Sequence, residues 1–170
     1  MKCAMIGLGM VSGTYAQAIL NSADIILDLI NARTSDSRDA FVQQWPDLGA
    51  RAASDIGEII ASDADFVIVT TPPNARLDIV GRLARAGKPI LMEKPVERNL
   101  QNARDLVEIC AQHDAEWYIV FCKDTNQITC ILQIPLNGFF HQNGFTSTCQ
   151  AFHNIQPRIG RRCYNHKIRI

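Results

Sequence analysis

Through the first 121 residues of this 170-residue chain, short apolar runs alternate with segments of helical period. That alternation leaves few folds open, because parallel strands joined by crossover helices are what it ordinarily encodes. "KCAMIGL" predicts a first strand and "VSGTYAQAILN" the helix behind it. "DIILDLI" predicts a second strand, followed by a helix over 36–45 with Ser35 as its cap and Asp36 at its positive end. "GARAA" is a short third strand, and Ser54 is expected to cap the helix of "DIGEIIA". "DFVIVTT", rich in β-branched residues, is the fourth strand. Pro72 and Pro73 then break the chain and start a helix whose core stripe is Leu77, Val80, Leu83 and Ala84, with Gly87 suited to end it. "KPILM" is the fifth strand, its helix placing Leu100, Ala103, Leu106, Val107 and Cys110 on one face, and "EWYIVFC" is the sixth. Apolar runs without polar alternation belong to strands covered on both faces. The predicted class is α/β, a Rossmann-type doubly wound parallel sheet.

The composition narrows the partners. The 17 basic and 17 acidic side chains cancel, so no net field points to nucleic acid or an anionic membrane. No apolar run is long enough to span a bilayer, and "MKCAMIGLG" enters a strand directly instead of forming a secretory signal. A cytoplasmic protein with its six cysteines reduced is the expectation. The charge balance conceals a break, however. All the acidic residues lie at or before Asp124, so the first 124 residues carry a net charge of −5 and the remaining 46 a net charge of +5. Four of the six cysteines (Cys122, Cys130, Cys149 and Cys163) also fall at or beyond position 122. The chain divides into two parts of unequal character: a domain over residues 1–121, and an atypical tail over 122–170.

"IGLGMVSG" sits between the first strand and the first helix, the context that a dinucleotide-binding turn requires. Gly7 permits the tight turn, and Gly9 allows the main chain to approach a diphosphate at the helix N-terminus. Met10 and Val11 complete that cradle, and Ser12 takes the third position, where a small residue is needed for close packing. The second strand ends in "NARTSDS". An NAD site usually offers a carboxylate there to hold the ribose 2′-hydroxyl, whereas Ala32, Arg33, Thr34 and Ser35 supply a guanidinium and two hydroxyls suited to a 2′-phosphate. The stretch favours NADP over NAD. A solvated loop arginine is the plainer reading of Arg33.

Together "IGLGMVSG", "VTTPPNA" and "AGKPILMEKPVERN" resemble the N-terminal nucleotide-binding domain of the glucose–fructose oxidoreductase / inositol dehydrogenase family (Gfo/Idh/MocA) over about residues 1–121. The resemblance implies hydride transfer between a nicotinamide and a carbon of a sugar, cyclitol or related polyol. It implies that Thr70, Thr71, Pro72 and Asn74 line the cofactor, that Glu93 lies near the nicotinamide ribose, and that Lys94 stands beside nicotinamide and substrate. In that arrangement Lys94 is catalytic, hydrogen-bonding the reacting hydroxyl. Arg76 stands where many members have histidine, and no role carries over to it. The placement of Lys94 has its own physical basis: ligands of open α/β sheets bind beyond the carboxyl ends of the strands, and Pro95 restricts the backbone of the residue before it.

The resemblance stops near residue 121. The family's second domain is a mostly antiparallel sheet that covers the nicotinamide and supplies a paired Asp and His. Residues 125–170 contain no Asp or Glu, so His141, His153 and His166 have no such partner there. "ITCILQIPL" is a candidate strand interrupted by Pro135. The tail reads as a truncated or frame-disrupted remnant, or as a short variant used for contacts between copies in a homo-oligomer. The pairs Cys149–His153 and Cys163–His166 match the spacing of no common zinc module, so no metal site is expected. The functional expectation is an NAD(P)-dependent oxidoreductase domain with a small polyol or sugar substrate. Its alternative is a non-catalytic dinucleotide-binding module or sensor.

Overall fold

The computed structural model describes residues 1–121 and the backbone of residues 130–133. The tail expectations, including the remnant reading and the Cys–His pairs, otherwise lie outside the described residues. Strands β1 (Lys2–Ile6), β2 (Ile26–Asn31), β3 (Arg51–Ala52), β4 (Phe66–Val69), β5 (Ile90–Glu93), β6 (Trp117–Phe121) and β7 (Cys130–Gln133) form one sheet in the order β3-β2-β1-β4-β5-β6-β7. All neighbouring pairs from β3 to β6 are parallel, while β7, which falls within "ITCILQIPL", runs antiparallel to β6. Helices α1 (Ser12–Leu20), α2 (Ser35–Gln44), α3 (Ile56–Ala61), α4 (Arg76–Arg85) and α5 (Leu100–Gln112) connect the parallel strands. This is the doubly wound α/β fold that the apolar alternation predicts.

Each strand is apolar on both sides because each side has a helix layer to meet. Along β1, Cys3 and Met5 face one core with Tyr15, Ala16 and Ile19 of α1 and Phe41 of α2. Ala4 and Ile6 face the other, with Ile56 and Ile59 of α3, Val80 and Leu83 of α4, and Leu106 and Cys110 of α5. The same division splits Trp117 and Ile119 from Val120 on β6. A strand with period-two polarity would leave one of these helix layers without a surface to bury.

The local signals held with three corrections. Thr34, not Ser35, caps α2: it is extended, and its hydroxyl accepts the Ser37 N–H at 3.3 Å, which leaves Ser35 as the first helical residue. Asp55, not Ser54, caps α3 by accepting the Glu58 N–H at 3.1 Å. Ser54 instead gives its own N–H to the Glu58 carboxylate at 2.8 Å, the reciprocal half of a capping box moved one residue upstream. Leu100 is 51% exposed, since it opens α5 before that helix reaches the core. The expected stripe of α4 is confirmed by buried Val80, Leu83 and Ala84 with Leu77 packed beside them, and Gly87 does take a left-handed conformation at φ +67°. Among the described residues no helix is long and apolar enough to cross a membrane.

Strand register sets the level of the turns at the sheet's carboxyl edge. Ile6 of β1 lies opposite both Asn31 of β2 and Val69 of β4, and Val69 lies opposite Met92 of β5. Strands β2, β1 and β4 therefore end at one level and β5 one residue beyond it, so the turns leaving them start side by side at the carboxyl rim.

Two measurements test this core. Leu83, fully buried between the sheet and α5, is expected to lose about 2–5 kcal/mol of unfolding free energy as Leu83→Ala in urea titrations. Burial pushes the thiols of Cys3 and Cys110 up to about 12. At pH 8 both should resist alkylation in the native chain and react once it is unfolded, as read by peptide mapping; rapid native alkylation of either contradicts this packing.

Candidate functional site

The β1–α1 turn is built on a near-collision that only glycine survives. Gly7 adopts φ +95°, and a Cβ there would meet the Thr71 backbone nitrogen at 2.7 Å and the Thr70 carbonyl carbon at 2.9 Å. Its N–H donates to the Asn31 carbonyl at 2.8 Å, and its carbonyl accepts the Thr70 hydroxyl. The first turn is thus tied to the ends of both flanking strands. Gly9 is different. A Cβ at that position would meet nothing within 4 Å among the described residues, so their packing does not demand glycine there.

Beyond Gly9 the rim is open. Met10 is 99% exposed and Val11 40% exposed, while Ser12 is buried and turns its hydroxyl back to the Gly9 carbonyl at 2.6 Å. No side chain caps α1, and no acidic residue stands in its first turn. The Ser12 and Thr14 N–H groups donate to the Gly9 and Val11 carbonyls at 3.1 Å, and the positive dipole end of α1 faces the rim with no carboxylate capping it among the described residues.

The neighbouring turns converge on the same place. From β2, Ala32 is half-buried and Arg33, Thr34 and Ser35 are exposed. Ser35 donates to the Asp36 carboxylate at 3.2 Å, and Arg38 reaches back from α2 to the Ala32 carbonyl at 2.9 Å. From β4 come Thr70, the buried Thr71, and the exposed Pro72 and Asn74. The Thr71 hydroxyl is buried and has no hydrogen-bond partner among the described residues. From β5 come the buried Glu93 and the exposed Lys94 and Pro95, whose peptide bond to Lys94 is cis.

The two acid–base side chains of the β5 turn are held very differently. The Glu93 carboxylate accepts the Tyr15 hydroxyl at 2.8 Å and the Lys94 N–H at 3.0 Å, anchoring the turn to α1. The Lys94 ammonium has no hydrogen bond or ion pair with any described residue. An unengaged ammonium on a fixed backbone can donate to a ligand oxygen and stabilise negative charge there.

All the residues expected at the site from sequence lie on this rim, in four turns from the adjacent strands β2, β1, β4 and β5. Sequence reading did not single out Tyr15, Asn31 or Arg38, and it gave Arg76 no part. Tyr15 reads only as one more apolar position of an amphipathic helix, and Arg76 as a helix-opening cation beside two prolines. In the structure Arg76 is 2% exposed, and burial pulls its guanidinium below the usual range against the opposing pull of the Glu97 and Glu93 carboxylates.

Comparison with known proteins agrees with this fold. Residues 1–121 match the family described as an oxidoreductase family with an NAD-binding Rossmann fold. The chain is 26% identical over 124 residues to the inositol 2-dehydrogenase of Rhizobium meliloti, covering 71% of this chain and 36% of that protein. It is 29% identical over 127 residues to the NADP(+) D-xylose 1-dehydrogenase of Haloarcula marismortui, covering 73% of this chain and 35% of that one. The chain thus spans about a third of the length of the curated relatives it matches. Its fold is shared with the WlbA dehydrogenase of Chromobacterium violaceum, solved with NADH and UDP-GlcNAcA, at a TM-score of 0.64 and 23% identity over 71% of this chain and 34% of that one.

The two glycines should part under substitution. Gly7→Ala is expected to cost about 2–4 kcal/mol, from left-handed strain and the contact with Thr71. Gly9→Ala should change stability by less than about 0.5 kcal/mol. Urea unfolding of the two variants checks both, and equal destabilisation would contradict the open position of Gly9.

Proposed function

We infer the function from one premise: this chain belongs to the Gfo/Idh/MocA oxidoreductase family, whose NAD-binding Rossmann domain its first 121 residues match. We propose that these residues bind NADP in preference to NAD and serve hydride transfer to or from a sugar, cyclitol or related polyol. The observation that carries the proposal is the pairing of an open Gly9 with an uncapped α1 N-terminus. A ligand that needs close main-chain approach accounts for a glycine that the packing of the described residues does not require, and a diphosphate is the group that the positive end of α1 favours.

The rim supplies the remaining contacts. Arg33, with the Thr34 and Ser35 hydroxyls, receives the 2′-phosphate, and Arg38 adds a second guanidinium behind the same turn. Thr70, Thr71, Pro72 and Asn74 form one wall of the nicotinamide half, and Glu93 and Pro95 frame Lys94 on the other. The inositol and xylose dehydrogenases among the relatives support a polyol or sugar as the substrate class. A bound nicotinamide supplies the hydride acceptor or donor. Lys94 hydrogen-bonds the reacting hydroxyl and stabilises the oxygen as its proton leaves.

A second reading, a dinucleotide-binding module without turnover, is favoured by one observation. Among the described residues no acid or base pairs with the Lys94 ammonium, so a proton acceptor for the substrate must come from elsewhere. The two readings share the binding step and differ only in whether hydride transfer succeeds it.

Calorimetry and turnover together test the proposal. NADP should bind more tightly than NAD, and Arg33→Ala should remove that preference by about tenfold or more. Gly9→Ala should weaken both nucleotides by a similar factor while leaving the fold intact. Lys94→Ala should leave nucleotide affinity nearly unchanged and abolish NADP reduction across a polyol panel. Binding without turnover in the unaltered chain selects the module reading; absence of binding by folded protein defeats both.

A further inference from the structure

Arg76 makes contacts that nothing in the proposed chemistry uses. Its Nε and Nη2 both donate to the Thr71 carbonyl, at 3.1 and 2.9 Å. Its Nη1 donates to the carbonyls of Glu93 at 2.7 Å, Val96 at 3.2 Å and Pro95. One side chain, 2% exposed, therefore joins the turn after β4 to the turn after β5 through four main-chain oxygens. These turns sit level because Val69 and Met92 are in register, yet no backbone ladder continues past that pair to hold them together.

We propose that Arg76 is a positioning residue, a strap that fixes the Glu93–Val96 turn against the Thr71 turn and so sets where the Lys94 ammonium stands. This role rests on the nucleotide-binding reading of the rim. Lys94 itself is exposed and its ammonium makes no hydrogen bond or ion pair among the described residues, so the main chain is what anchors its position. That backbone is held at the Lys94 N–H by Glu93 and at the carbonyls on either side of Lys94 by Arg76. The planar fork matters here as much as the charge. Two donor edges of one guanidinium face two turns at once, which the three donors of a lysine ammonium, converging on one atom, cannot reproduce. No hydrogen bond joins either neighbouring carboxylate to the guanidinium: Glu93 accepts from Tyr15, and Glu97 accepts the Arg98 N–H at 3.1 Å through Oε2 while its buried Oε1 has no partner among the described residues.

The full chain carrying Arg76→Lys or Arg76→Met tests the strap, with Leu83→Ala as a control that weakens the same helix without touching either turn. Hydrogen exchange should rise by about tenfold or more in peptides covering 71–75 and 93–98, while β1 keeps its protection in both Arg76 variants. Because the Thr71 and Glu93–Pro95 walls of the nicotinamide half loosen together, NADPH affinity should fall by about tenfold, whereas 2′,5′-ADP, which lacks that half, should bind as it does to the unaltered chain. Leu83→Ala should leave both affinities in place. Full rescue by Arg76→Lys, an exchange increase spread evenly through the sheet, or equal losses for NADPH and 2′,5′-ADP would each overturn the strap. If the unaltered chain bound neither nucleotide, the binding reading would fail, and the local exchange pattern would still decide whether Arg76 joins the two turns.

Discussion

Everything at the rim depends on the closeness of Gly7 to the Thr70–Thr71 backbone. The separation admits no side chain, and the positive φ of Gly7 turns the chain across the end of β4 before α1 begins. Because Gly7 also gives its N–H to Asn31, the same turn locks the ends of β2 and β4 to that of β1. The consequence is positional. The first turn of α1 comes to lie over the point where the winding changes direction, with β2 and β3 on one side and β4, β5 and β6 on the other. Open α/β sheets bind their ligands at that point because the helices diverge there and leave a crevice.

From this crossing the two sides of the rim acquire different characters. The β2 side is exposed and rich in cationic and hydroxyl groups, with Arg33, Thr34 and Ser35 reaching solvent. The β4–β5 side is tightly bonded, with Thr71, Arg76, Glu93 and Tyr15 all buried. A surface that must greet a charged, hydrated group can remain flexible and wet. A surface that must place one nitrogen needs its backbone held by groups excluded from water, where each hydrogen bond meets less competition.

Most of the fold was legible because it rests on local signals that tertiary structure did not override. Six strands, their helices and the level of the glycine turn follow from apolar runs, caps and the two punctuating residue types, Gly and Pro. The misplaced caps show the limit of that reading: where Thr34 or Ser35, and Ser54 or Asp55, stand side by side, composition cannot say which residue is extended. The candidate site was legible residue by residue wherever a motif named it. Arg76 and Tyr15 were not, and for a common reason. Their work is done across 5 to 78 positions of sequence separation from partners that are carbonyl oxygens or a single carboxylate, and no side-chain pattern records a carbonyl acceptor.

The exposure of Lys94 sets what these 121 residues can contribute to chemistry. Two unit charges 4 Å apart interact by about 1 kcal/mol in bulk water and by about 4 kcal/mol at the effective dielectric near a protein surface. An ammonium at an exposed rim therefore stabilises a nearby oxyanion by a few kcal/mol at most, and by less the more water surrounds the pair. The same ammonium beneath a cover that excludes water stabilises it more strongly. Positioning and covering are separable tasks, and the strand ends, the Gly7 crossing and the Arg76 contacts accomplish only the first. Under the proposed function, placing the Lys94 ammonium and excluding water from it are thus two different demands, and the backbone contacts of the β4 and β5 turns bear on the first alone.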